Sequence, residues 1–76
     1  MSQDLKSAIR LAVERYIEIQ GTGFSQNLYH NIITMTERQV IETVLEKTAN
    51  NRSKAAAILG ISRVTLLKKI KQFQDT

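Results

Sequence analysis

Between Asn50 and Ile70 the chain reads NNRSKAAAILGISRVTLLKKI, an order of residues that few folds accommodate. Ala55, Ala56 and Ala57 favour helix while presenting almost no side-chain bulk, so a second helix can cross close by. Gly60 falls where that short helix ends, and only glycine takes a positive φ there without a steric penalty. Ile61 is placed to fill the angle between two helices. Ser62 is a good N-cap, which puts Arg63 in the first turn of the next helix. Beyond it Leu66, Ile70 and Phe73 recur at i, i+4 and i+7 and form a core stripe, with Val64, Lys68, Lys71 and Gln72 facing away. A small-residue helix, a glycine turn and a capped basic helix make the layout of a helix-turn-helix. Such a unit presents the first turn of its second helix to the major groove of DNA.

The rest of the chain is also read as helical, because it contains no proline and only three glycines in all. Leu5, Ala8, Ile9, Ala12, Val13, Tyr16 and Ile17 form one apolar face at three- and four-residue spacing, predicting a helix over about 4–20. Gly21, Thr22 and Gly23 end it. Ser25 is placed as the N-cap of a second helix over about 26–47, with Phe24 stapled to Tyr29. The apolar positions there are Leu28, Tyr29, Ile32, Ile33, Met35, Val40, Ile41, Val44 and Leu45, which is more than one stripe. A rod of about 33 Å at ~1.5 Å rise per residue is too long for this chain alone to cover, so burial against the same helix of a second copy is expected. Thr48, Ala49, Asn50 and Asn51 interrupt the helix, with Asn50 the expected left-handed residue and Asn51 the cap of a third helix. The expected fold is therefore all-α, with four helices at about 4–20, 26–47, 52–59 and 63–73.

Charge divides the chain. Residues 1–47 carry a net charge of −1 and residues 48–76 a net charge of +5. A basic end joined to a near-neutral end suits a polyanion-binding unit fused to a scaffold. The expected organisation is one domain over residues 1–76, with dimerisation helices in 1–47 and a DNA-binding unit in 48–76. Seventy-six residues make a small core of marginal stability, and with no cysteine there is neither a disulfide nor a thiolate metal site to reinforce it. His30 alone cannot form a zinc centre. Glu14, Glu18, Glu42 and Glu46 sit at i, i+4 spacing as solvated faces rather than acid–base pairs. No nucleophile–base set, phosphate loop or ligand cluster appears, so neither an enzyme, a cofactor nor a small-molecule substrate is expected. No apolar run approaches the roughly 20 residues of a membrane span, and the start at Met1 lacks the pattern of a signal peptide. A cytoplasmic location is expected.

The residues from Asn51 to Lys71, with Gly60, Arg63, Thr65, Leu66 and the paired Lys68 and Lys69 in order, resemble the Fis (factor for inversion stimulation) family of bacterial proteins. Leu5 to Arg10 with Tyr16, and the Asn27-Leu28-Tyr29 entry to the long helix, extend the resemblance from about Leu5 to Phe73. It implies an intertwined homodimer with a four-helix core, whose two helix-turn-helix units enter adjacent major grooves and bend double-stranded DNA in the bacterial nucleoid. By the same resemblance Arg63 is the main base-reading residue, with Ser62 beside it. Asn51, Ser53, Thr65 and Lys68 match phosphate-holding positions, and Lys69 and Lys71 fall where flanking DNA is contacted. Three departures stand out. Ser62 replaces the family's usual asparagine, Leu67 replaces an arginine, and the N-terminal β-hairpin arm that touches a DNA invertase is missing, so stimulation of recombination is not expected.

Arg63 also stands out on physical grounds, since a cation at a helix start opposes the helix dipole and calls for a phosphate or guanine partner. Three readings follow. One is a dimeric, DNA-bending regulator; another is the DNA-binding end of an NtrC-type enhancer-binding activator, which carries a similar helix-turn-helix. A third is an interaction module whose basic end meets an acidic protein.

Overall fold

Two turns of the same kind set the course of the chain. In a computed structural model that describes residues 2–20 and 27–75, α1 spans Ser2–Gln20, α2 Leu28–Lys47, α3 Arg52–Leu59 and α4 Arg63–Asp75. All regular structure among the described residues is helical, as expected. The glycine stop after α1 and the Phe24–Ser25 entry to α2 lie outside the described residues. Asn27 stands in the turn before α2, and its carbonyl accepts the amide of Asn31 at 2.9 Å. α1 begins two residues before the expected start, and α4 runs two residues past the expected end.

α3 ends in a tight reversal. Gly60 adopts φ 75°, and the amides of Gly60 and Ile61 bond back to the carbonyls of Ala57 and Ala56 at 3.2 and 3.1 Å. This is the Schellman arrangement, in which two orphan carbonyls are satisfied around one left-handed residue. The end of α2 is closed in the same way. There the amides of Ala49 and Asn50 reach Glu46 and Leu45 at 3.2 and 2.8 Å. Asn50 is left-handed as expected (φ 64°), but so is Ala49 (φ 54°), which the sequence reading did not foresee. Thr48 completes this stop, its hydroxyl donating to the carbonyl of Val44 at 3.0 Å.

The core is small. Ile41 of α2, Ala55 and Ala56 of α3 and Leu66 of α4 are buried, with Val44, Leu45, Leu59, Ile61, Ile70 and Phe73 packed against them. Leu66 is 0% exposed. Of the three consecutive alanines, only Ala55 and Ala56 face this core, while Ala57 is exposed, because consecutive helical residues point about 100° apart. Ile61 fills the inter-helix angle as expected.

Two compact units divide the chain, residues 1–33 and 34–76, so the division falls within α2. In the first unit Asn31 Nδ2 donates to the Tyr16 hydroxyl at 3.0 Å, tying α1 to the start of α2. In the second, the latter part of α2 belongs with α3 and α4. Ile41, Val44 and Leu45 of α2 complete the core of the helix-turn-helix.

The two left-handed turns invite opposite substitutions. Gly60 has no atom within 4 Å of where a Cβ would stand, so Gly60→Ala costs only backbone strain and should destabilise the fold by about 1 kcal/mol. Ala49→Gly relieves that strain and should stabilise it by about 0.5–1 kcal/mol after the entropy of glycine is counted. Urea denaturation of both variants checks the pair of signs.

Candidate nucleic-acid interface

Both helices of the helix-turn-helix unit start with a capped first turn. Asn51 has extended backbone geometry, and its Oδ1 accepts the amide of Lys54 at 3.0 Å. Ser62 does the same for α4, its Oγ accepting the amide of Thr65 at 3.0 Å. The Ser62 hydroxyl also donates to Thr65 Oγ1 at 2.9 Å. The two hydroxyls are thus paired with each other in the first turn of α4. Ser62 is engaged by both the amide and the hydroxyl of Thr65, which commits its side chain to the cap.

Arg63 is the first residue of α4 and is exposed. It stands at the positive end of the helix dipole, and no carboxylate lies within ion-pair distance of it among the described side chains. Lys68 and Lys71, three residues apart, share one exposed face of α4. Ser53 is exposed in the first turn of α3, near its Asn51 cap.

Lys69 differs from the other lysines of α4. Its Nζ lies 3.2 Å from Glu37 Oε2 of α2, and the two side chains are only 35% and 38% exposed. Together they line an open hollow with Val40, Ile41, Leu59 and Ile61. The neighbouring Arg38 lies with its guanidinium 5.8 Å from the centre of the Phe73 ring, and its Nε bonds Glu42 at 2.8 Å. Glu37 and Arg38 of α2 thus hold α4 at Lys69 and Phe73, four residues apart on one side of that helix. Sequence reasoning missed both contacts, since no local spacing relates α2 to α4. Arg52 and Lys54, exposed at the start of α3, add two cations to the same unit beyond the residues singled out from the sequence.

The candidate residues therefore form two capped N-termini and one basic helix face. Residues 32–73, which hold all of them, match the sequence profile of the Fis family of bacterial regulatory proteins. The chain belongs to the Fis family. It is similar to a putative Fis-like DNA-binding protein of Ralstonia nicotianae, with 37% identity over 68 residues that make up 90% of this chain and 88% of the relative. It is also similar to the DNA-binding protein Fis of Buchnera aphidicola, 28% identical over 96% of this chain and 75% of the relative. The DNA-binding protein Fis of Vibrio atlanticus is 29% identical over 91% and 70% respectively. No solved structure matches the chain. Among the described residues no helix is long and apolar enough to cross a membrane, and no cluster of acidic or imidazole groups is arranged to hold a metal ion.

The caps carry a measurable share of this arrangement. Ser62→Ala should cost about 1 kcal/mol of stability by leaving the first turn of α4 uncapped, and Asn51→Ala a similar amount at α3. Thermal unfolding followed by circular dichroism checks both values, and Ser62→Gly, which preserves most of the capping preference, should cost only a few tenths of a kcal/mol.

Proposed function

We propose that the chain is a homodimeric regulator that binds and bends double-stranded DNA as a component of the bacterial nucleoid. The observation that carries the proposal is the exposed Arg63 at the capped start of α4, on a unit whose outer face bears the exposed Lys68 and Lys71. In this reading the first turn of α4 enters the major groove and Arg63 donates two hydrogen bonds to a guanine. The Thr65 hydroxyl, the first turn of α3 at Asn51 and Ser53, and Lys68 and Lys71 hold phosphates and fix the register. Ser62 acts as the cap that orients Thr65 rather than as a second base reader. Lys69 contributes less than its neighbours, because Glu37 already compensates its charge. With so few base contacts, much of the site preference comes from how readily the DNA bends between two half-sites.

The homodimer rests on apolar surface that the single chain leaves open. Leu5, Ile9, Leu11 and Ile19 of α1, and Tyr29, Ile33 and Met35 in the first half of α2, are exposed. None belongs to the core around Leu66. That much apolar area on two helices of one small protein suits association with a second copy. Similarity to the DNA-binding relatives extends through α1 as well as the helix-turn-helix, which supports this reading over that of an isolated DNA-binding end of a larger activator.

Two measurements test the proposal. Light scattering should find a dimer at micromolar concentration, and Met35→Asp, at a position 55% exposed in the single chain, should shift it towards monomer; a stable folded monomer of the unaltered chain would refute the dimer. Binding titrations over a range of salt should give a slope of log K against log salt near −5 to −7 for a dimer holding roughly six to eight phosphates. Lys68→Ala should flatten that slope by about two per dimer, and Lys69→Ala by distinctly less. Arg63→Ala should erase the preference for guanine in each half-site. A slope near zero, or equal effects of Lys68→Ala and Lys69→Ala, would contradict the assigned roles.

A further inference from the structure

Val64 is an apolar side chain set into a basic face. It is the second residue of α4 and 62% exposed, and it adds nothing to the core around Leu66. As a β-branched residue it is also a weaker helix former than the alanine or lysine that an exposed helical position favours. Neither burial nor local propensity accounts for it. Helical geometry places it on one stripe with Lys68 and Lys71 at i+4 and i+7, both exposed. Leu67 at i+3 is half-buried, so Val64 stands proud of the apolar side of α4.

A partner that fits this stripe is anionic along the lysines and apolar at one point beside the N-terminal turn. An apolar protein surface would be matched by a broader apolar patch than one side chain flanked by cations. Duplex DNA has the required pattern. Its phosphates lie outside, and the C5-methyl of thymine is the one apolar group that the bases present in the major groove. The second residue of a groove-entering helix lies among those that reach base edges.

We propose that Val64 is a specificity-determining residue that packs on the C5-methyl of a thymine next to the guanine read by Arg63. The inference rests on the DNA-binding reading of α4 given above. It makes one base step of each half-site depend on a methyl group rather than on a hydrogen bond. Thymine and uracil present identical donors and acceptors, so exchanging one for the other isolates that contact.

The test uses the full chain and duplexes that it selects from random DNA, with each thymine of a half-site replaced in turn by deoxyuridine. At one position the replacement should weaken binding about three- to fivefold, the value of one buried methyl group. Val64→Ala should bind the thymine and deoxyuridine duplexes at that position equally well, while retaining the guanine preference that Arg63 confers. At 62% exposure the substitution leaves the core intact, and an unchanged helical circular dichroism spectrum verifies this. The proposal is overturned if no single replacement weakens binding by the unaltered chain, or if Val64→Ala retains the full deoxyuridine penalty. Failure of the underlying reading looks different: the unaltered chain then selects no DNA, or Arg63→Ala leaves its guanine preference intact.

Discussion

Leu66 is the residue on which the arrangement of α4 depends. It is fully buried, and the residues around it, Ala55, Ala56 and Ile41, come from the other two helices of its unit. Two of these are alanines, which lets α3 lie close to α4 with little side chain between them. Removing the Leu66 side chain would empty the point where the three helices meet, in a core with little other buried area to offset the loss. The tight turn at Gly60 delivers α4 to that position, and the Ser62 cap fixes where its first turn starts. The outward direction of Arg63, Val64, Lys68 and Lys71 follows from the inward direction of Leu66, Ile70 and Phe73, since one helix cannot rotate both sets independently.

Contacts of another kind join α2 to α4. Glu37 pairs with Lys69, and Arg38 lies over Phe73. Partly exposed contacts of this kind contribute modestly to stability, but they divide the lysines of α4 by role. Lys68 and Lys71 face outward with no carboxylate beside them among the described side chains, while Lys69 has a partner within the chain. Net charge therefore overstates what the unit offers to a polyanion. Exposed apolar residues lie on α1 and the first half of α2, outside that unit's core.

Much of this was legible in the sequence because it is local. The α3 boundaries, the caps at Asn51 and Ser62, the left-handed Gly60 and Asn50, and the Leu66–Ile70–Phe73 stripe all follow from side chains acting within a few residues of themselves. A hydroxyl or amide that bonds the amide three residues on, or a glycine at a helix end, announces itself by spacing alone. Ala49 was the local exception. Alanine carries no signal for a positive φ and adopts one here because the Schellman hydrogen bonds of α2 require it.

What only the tertiary structure decided is how α2 is used. From sequence its apolar residues formed one undivided set, too wide for a single stripe. Packing set Ile41, Val44 and Leu45, which close the helix-turn-helix core, apart from Tyr29, Ile33, Met35 and Val40, which remain exposed. The same packing brought Glu37 to Lys69 and Arg38 to Phe73, and so set Lys69 apart from the lysines beside it. Sequence periodicity determined that these residues lie on a helix and which of them share a face. It carried no information on which face meets which helix, because that is fixed by the crossing of α2 with α3 and α4, a relation between segments distant along the chain.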